Sequence, residues 1–314
     1  MAFLKLIRFP NLLIIALVQY LIRFAIMSPV LQQNGYELQM GNFEFVLLVV
    51  STCLFAAAGY IINNYFDRRS DMISKPDDVV VGTKINRRLA IVLHFVFNGI
   101  GVVMGLYLCY RIGIYKIGLV FVVVPTLLWY YSTWLKNKVL IGNILVAGFV
   151  ALIPLLVPLF EIPLLENEYR EGLREIVFSF STLFKGVFLF SVFAFLMSLM
   201  FEILKDIADF EGDKECNRNT LAISLGITKT RNVLATLIIV TLSISTLILI
   251  IHFHNLITIL YYVIFIVPPF TVFILKLMNA KKSGDYRKMQ IFPKMIMMAG
   301  ILYTFIAYYF ITQS

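Results

Sequence analysis

Nine apolar stretches divide the chain, at 11–31, 43–63, 89–110, 114–135, 139–160, 178–201, 232–253, 255–277 and 291–312. Each matches the ~20 residues that a helix needs to cross the hydrocarbon core of a bilayer. Hydrocarbon satisfies no backbone hydrogen bonds, so each stretch is predicted to be helical. Pro125, Pro154, Pro158, Pro268 and Pro269 fall inside these stretches, which is tolerable where neighbouring helices cover the kinks. The pattern predicts an all-α fold: a polytopic membrane bundle of about nine transmembrane helices, with residues 1–314 forming a single domain. The first stretch follows Lys5 and Arg8 but lacks a small-residue cleavage site and carries Gln19 and Arg23. A retained span is therefore expected there rather than a signal peptide.

Composition removes the alternatives. Of 314 residues, 60% are apolar and 14% are charged, against roughly half and a quarter in a soluble domain. Secreted, disulfide-stapled and disordered classes are excluded. Cys53, Cys109 and Cys216 form no CxxC pair, and His94, His252 and His254 give no zinc spacing with them.

The 27 Lys and Arg residues divide unevenly between the two sets of alternate loops. One set carries 21, starting with Lys5 and Arg8. The other carries Arg111, Lys116, Arg170, Arg174 and Lys185, and Arg23 lies within the first stretch. The basic side, with the N-terminus, is expected to be cytoplasmic in an inner or plasma membrane. The net charge of +9 then reflects topology and anionic headgroups. It requires no nucleic-acid partner, and nothing in the chain asks for an obligate protein partner.

The acidic residues run against that trend. Ten of eighteen lie in two short segments on the basic side: Asp67, Asp71, Asp77 and Asp78 after the second stretch, and Glu202, Asp206, Asp209, Glu211, Asp213 and Glu215 after the sixth. An outer group of Glu161, Glu166, Glu168, Glu171 and Glu175 is unpatterned and reads as an ordinary solvated loop or interfacial helix. In the first inner segment, Asn63, Asp67 and Asp71 are spaced by four; in the second, Asp206, Asp209 and Asp213 are spaced by three and four, with Glu202 one turn earlier. If both helices continue past the spans, each set stacks on one face. Two such faces make a hard-oxygen site suited to Mg²⁺, which takes one or two carboxylates and keeps positions for water and phosphate. Lys75, Lys136 and Lys205 could hold phosphate oxygens nearby. Read singly, each segment is also what a solvated span end looks like.

These motifs resemble the UbiA superfamily of intramembrane prenyltransferases. Asn63 to Asp71 is similar to the family's N-D-x-x-D-x-x-x-D, and Lys205, Asp206, Asp209, Gly212 and Asp213 to its K-D-x-x-D-x-x-G-D. Thr220-Leu221 through Leu225-Gly226, Tyr131-Ser132 with Leu135-Lys136 and Gly142-Asn143, and Arg8-Phe9-Pro10-Asn11 resemble further family stretches. Glu202 to Asp213 and Asn63 to Asp67 most resemble the branch that adds a geranylgeranyl group to geranylgeranylglyceryl phosphate. Members that prenylate aromatic acids or naphthoates in quinone synthesis share most of the pattern. Three positions depart from it: Asn64 replaces a usual Asp, Asp78 stands where the K-P-x-R-P motif has Arg, and Phe201 stands where that branch often has Arg or Tyr. The last two departures point to an altered acceptor or chain-length preference.

The resemblance implies a Mg²⁺-dependent transfer from an allylic prenyl diphosphate to a lipid or aromatic acceptor. Asn63, Asp67 and Asp71 would hold one metal, and Asp206, Asp209 and Asp213 the other. Asn64, Lys75, Lys136 and Lys205 would contact substrate, with Lys75 and Lys136 on the diphosphate. Tyr131 and Asn143 would neighbour the cation or acceptor, or simply pack helices. Arg23 and Gln19 should face the bundle interior, Arg23 toward phosphate or a structural hydrogen bond. Gly82 and Gly212 would permit hinges in the two motif loops, near 63–88 and 202–231. A transporter is the rival class, but its polar site belongs at the midplane, and no internal repeat is evident. The D-G-x-x-A-R run of CDP-alcohol phosphotransferases is absent.

Overall fold

The structure, a computed structural model, describes residues 1–169 and 180–313. Arg170, Glu171, Arg174 and Glu175 lie outside the described residues. Among the described residues, nine helices are long and apolar enough to span a membrane: α1 Phe9–Gln33, α2 Asn42–Ser74, α3 Arg87–Ile112, α4 Tyr115–Thr133, α5 Ile141–Glu168, α6 Phe180–Ala208, α7 Ile227–His252, α8 Leu256–Asn279 and α9 Ser283–Gln313. They coincide with the nine apolar stretches, several running further at one or both ends.

The longest extension matters most. α2 continues well past position 63 because no Gly or Pro interrupts Asn63 to Ser74. It stops at Lys75, whose backbone has left the helical region (φ −155°, ψ 65°) ahead of Pro76, as the residue before a proline disfavours helical geometry. α6 runs to Ala208, turns at Asp209 and resumes as a short helix, Phe210–Glu215. Asp209 and Asp213 keep the helical ladder across this turn, their amides donating to Lys205 O (2.8 Å) and Asp209 O (3.0 Å).

α2 packs along α3, α5 along α6, and α6 also meets α7 and α9. One core joins α1, α2, α4, α5 and the start of α6 through Ile22, Phe45, Phe121, Phe160 and Val187. A second joins the end of α6 to α7, α8 and α9 through Met200, Leu234, Phe270, Phe273 and Ile296. The faces of α3, α7 and α8 that carry Val103, Ile250, Leu256 and Leu275 are exposed, as lipid-facing surfaces should be. Lipid is as apolar as these side chains, so close packing and buried polar bonds must specify the bundle.

One such bond set corrects the sequence reading. Glu161, expected in the solvated outer group, is 0% exposed, and only Glu166 and Glu168 of the described members of that group are exposed. Its carboxylate accepts from the amides of Gln39 and Met40. Arg23, 2% exposed, approaches it at 3.8 Å, donates to the Met40 carbonyl and lies over the Phe45 ring at 4.5 Å. A π-helical turn at Ile22–Met27 accompanies this arginine. Arg23 is thus a structural clamp between α1, α5 and the 34–41 loop, not a phosphate contact.

Candidate active site

The ends of α2 and α6 meet at one end of the bundle. Gly212 makes the meeting possible: a Cβ there would lie 2.7 Å from the Ser70 carbonyl oxygen and closer still to Ser74 Oγ. The glycine therefore serves close approach rather than the hinge suggested by the sequence. Ser70 Oγ then donates to Asp213 at 3.0 Å, tying the two acidic segments together. Gly142 does the same for the loop before α5, where a Cβ would sit 2.9 Å from Lys136 Cα.

All five motif aspartates, Asp67, Asp71, Asp206, Asp209 and Asp213, line one small cavity of about 40 Å³, together with Tyr131, Lys136, Asn143, Glu202, Lys205 and Arg218. The stacking read from the spacing is therefore present in space. Of the ten inner acids, Asp77, Asp78, Glu211 and Glu215 stay exposed and away from it.

Basic side chains hold the carboxylates. Asp67 is bound by Lys136 at 2.5 Å and by Arg218 at 2.6 Å, and Arg218 reaches on to Asp213 at 3.1 Å. Lys75 bridges Asp71 (3.1 Å) and Asp209 (3.2 Å), and Arg287 adds a second cation to Asp209 at 3.0 Å. Lys205 lies 3.4 Å from Glu202. Asn143 donates to Asp206 at 2.8 Å. The interleaving offsets the mutual repulsion of stacked carboxylates. Burial pushes the Asp213 carboxyl above its ordinary range despite Arg218. Burial likewise pulls the Lys136 ammonium down, with Asp67 opposing the shift.

Two expected contacts, Asn63 and Asn64, lie outside the small cavity. Asn64 donates to the Tyr60 carbonyl at 2.8 Å and faces a larger adjoining cavity, which Lys75 also lines. Asn63 lies one turn before Asp67 and outside the small cavity, with its buried Oδ1 lacking a hydrogen-bond partner. Arg218 and Arg287 join the site without having been anticipated. Arg218 follows Asp213 by five residues, a basic residue just past the second motif, and that position was the available signal. Arg287 is 78 residues from its partner Asp209 and gave none.

The larger cavity, about 900 Å³, shares Asp71, Glu202, Lys205 and Asp209 with the small one. It extends along the apolar side chains of α1, α5, α6 and α9, among them Ile14, Val150, Phe193 and Met297. An anionic head at the aspartates and a long apolar tail in the cavity would fit together in this space.

The residues suit a hard divalent cation. Five carboxylates and an orphaned carboxamide oxygen supply only oxygen donors, the set that Mg²⁺ prefers. Among the described residues, no three His, Cys, Asp or Glu side chains already converge as a closed metal cage. Mg²⁺ does not require one, because it keeps several waters and takes only one or two carboxylates.

The backbone is least relaxed at this end. Arg8, Leu140 and Asn217 adopt positive φ (49°, 64° and 51°). They flank or belong to the segments that carry Arg8, Lys136 with Asn143, and Arg218. Such conformations persist where the surroundings over-determine them, and they gather at ligand sites.

Clustered aspartates and cations joined to a long apolar cavity at one end of a helical membrane bundle suit an intramembrane enzyme, and comparison with known proteins identifies its family. Residues 21–299 match the model of the UbiA prenyltransferase family, and the chain belongs to that family. It is 30% identical over 282 residues to the digeranylgeranylglyceryl phosphate synthase of Saccharolobus solfataricus, covering 88% of each chain. It is 28% identical over 275 residues to that of Methanosphaera stadtmanae, covering 85% of this chain and 88% of the relative. The match to the Methanothermobacter thermautotrophicus synthase, 31% identical, spans 58% of that protein's length. A solved digeranylgeranylglyceryl phosphate synthase structure superposes with a TM-score of 0.59 at 21% identity, over 97% of this chain and 98% of that one. A UbiA homolog from Archaeoglobus fulgidus bound to GPP and Mg²⁺ gives 0.54 at 14% identity over the whole of both chains. At these identities, the two structures establish the shared fold.

Proposed function

We propose that the protein transfers a geranylgeranyl-like polyprenyl group from its diphosphate to a prenylglyceryl phosphate, in ether-lipid synthesis. The observation that carries the proposal is the joining of five aspartates and their cations to an apolar cavity of about 900 Å³. The names of the relatives support the choice of acceptor.

Asp67, Asp71, Asp206, Asp209 and Asp213, with Asn63, would hold Mg²⁺. When bound, the metal withdraws charge from a leaving diphosphate and favours ionisation. Lys136, Arg218 and Lys75 supply cations at the wall where that charge gathers. The cavity orients the tail and excludes water. The allylic carbon–oxygen bond breaks with its electron pair leaving on the diphosphate. The acceptor hydroxyl oxygen then forms the new ether bond, and its proton passes to the departed diphosphate. Asn143 fixes Asp206, and Tyr131, buried beside them, shapes the pocket wall.

The basic end of the bundle, which carries the site, would face the cytoplasm of a plasma or inner membrane. Residues 1–314 would act as one domain.

The test gives the purified protein radiolabelled geranylgeranyl diphosphate with geranylgeranylglyceryl phosphate or an aromatic acid. Label is expected in the phosphate lipid. Label only in the aromatic acid would move the chain to the quinone-pathway activity.

A further inference from the structure

The larger cavity carries more positive charge than its own carboxylates balance. Its four acids, Asp71, Asp78, Glu202 and Asp209, are matched by Lys75, Lys5 (2.9 Å from Asp78), Lys205 and Arg287. Arg8 and Lys294 are left over. Among the described residues, neither side chain has a hydrogen-bond or ion-pair partner, yet both line the cavity.

Each is instead laid on an aromatic ring. The Arg8 guanidinium lies 4.9 Å from the centroid of Tyr60, and the Lys294 ammonium lies 4.8 Å from that of Phe201. A ring face attracts and orients a cation without consuming its N–H donors or neutralising its charge. Two cations without carboxylate partners therefore share one cavity. Arg8 also occupies the left-handed region, at φ 49° and ψ 53°. Unneutralised cations, donors kept open and a constrained backbone together describe a site prepared for an anion.

We infer that Arg8 and Lys294, positioned by Tyr60 and Phe201, form the subsite that binds the phosphate monoester of the acceptor, apart from the aspartate cluster that takes the donor diphosphate. Two positive charges without carboxylate partners match a phosphate dianion. The subsite also gives Phe201 a role where the related branch often has Arg or Tyr: it supports a cation supplied by α9 instead of supplying one. The inference rests on the prenylglyceryl phosphate reading above.

The test reads acceptor binding without turnover. Thermal stability of detergent-solubilised protein is followed against geranylgeranylglyceryl phosphate, with neutral geranylgeranylglycerol as the comparison. Wild type is expected to prefer the phosphate lipid. Arg8→Gln and Lys294→Gln should each raise the concentration needed by on the order of ten- to hundredfold, the range for a lost charged hydrogen bond. The double variant should lose the preference, Lys294→Arg should retain it, and donor binding with Mg²⁺ should be unchanged. If Arg8→Gln fails to fold, Lys294→Gln carries the test. Wild-type indifference to the phosphate, or variants that bind it as wild type does, would overturn the subsite. Wild-type binding without prenyl transfer would overturn the acceptor reading and leave the subsite standing.

Discussion

Replacing Gly212 by alanine should pull the two acidic segments apart. The added Cβ would start 2.7 Å from the Ser70 carbonyl oxygen, a backbone atom in a continuous helix that cannot rotate away. Restoring ordinary contact requires a shift of roughly 0.7 Å in the short helix that carries Asp213, and overpacking of this kind costs about 1–3 kcal/mol. The displacement falls on the Ser70–Asp213 hydrogen bond and on the Arg218 bridge between Asp213 and Asp67. Misplacement approaching 1 Å in a catalytic constellation costs up to about 100-fold. Turnover with saturating substrates should therefore fall on the order of ten- to hundredfold, with a measurable drop in Tm. Gly148→Ala is the control, because nothing lies within 4 Å of a Cβ at that helical position, and alanine is the better helix former. Prenyl transfer and thermal unfolding of both variants check the argument. Wild-type turnover in Gly212→Ala would refute the claim that this contact sets the site.

Three other outcomes are expected. Asp67→Asn and Asp206→Asn should each lower prenyl transfer by at least about 100-fold while the protein remains folded in membranes, as read by transfer of label and size-exclusion chromatography. Arg23→Met should leave Glu161 buried without its cation and cost about 3–5 kcal/mol. It should act through thermal stability, with acceptor KM unchanged for the protein that stays folded, because the clamp does not line either cavity of the site. Lys5→Ala should change stability by less than about 1 kcal/mol, since its bond to Asp78 is exposed on both sides. That bond holds the Asp78 carboxyl below its ordinary value, so its small contribution is present above the unfolded pKa and fades as pH falls through the lowered one; unfolding scans across pH would reveal it.

Much of the molecule is legible in the local periodicity of its sequence. Nine apolar stretches give nine spanning-length helices among the described residues, because a helix satisfies its own backbone hydrogen bonds in lipid. The intervals among Asp67, Asp71, Asp206, Asp209 and Asp213 place them in one cavity because both helices outlast their apolar spans. Partners brought together only by the fold carry no such signal. Arg218 and Asp67 are 151 residues apart, and nothing in either neighbourhood announces the other. Glu161 sits beside Glu166 and Glu168 in sequence, so it reads as part of a solvated group, whereas its actual partners are the Gln39 and Met40 amides and Arg23. Gly212 reads as a hinge because the space around a glycine is invisible until Ser70 is opposite it.

The central claim is that the two aspartate faces act as one site for a metal and a prenyl diphosphate. Calorimetric titration of geranylgeranyl diphosphate, with Mg²⁺ and with EDTA, tests it most directly in wild type, Asp67→Asn and Asp206→Asn. Mg²⁺-dependent binding is expected in wild type and is lost when either face is changed alone. Equal binding in EDTA, or Mg²⁺-dependent binding that survives in both variants, would contradict it.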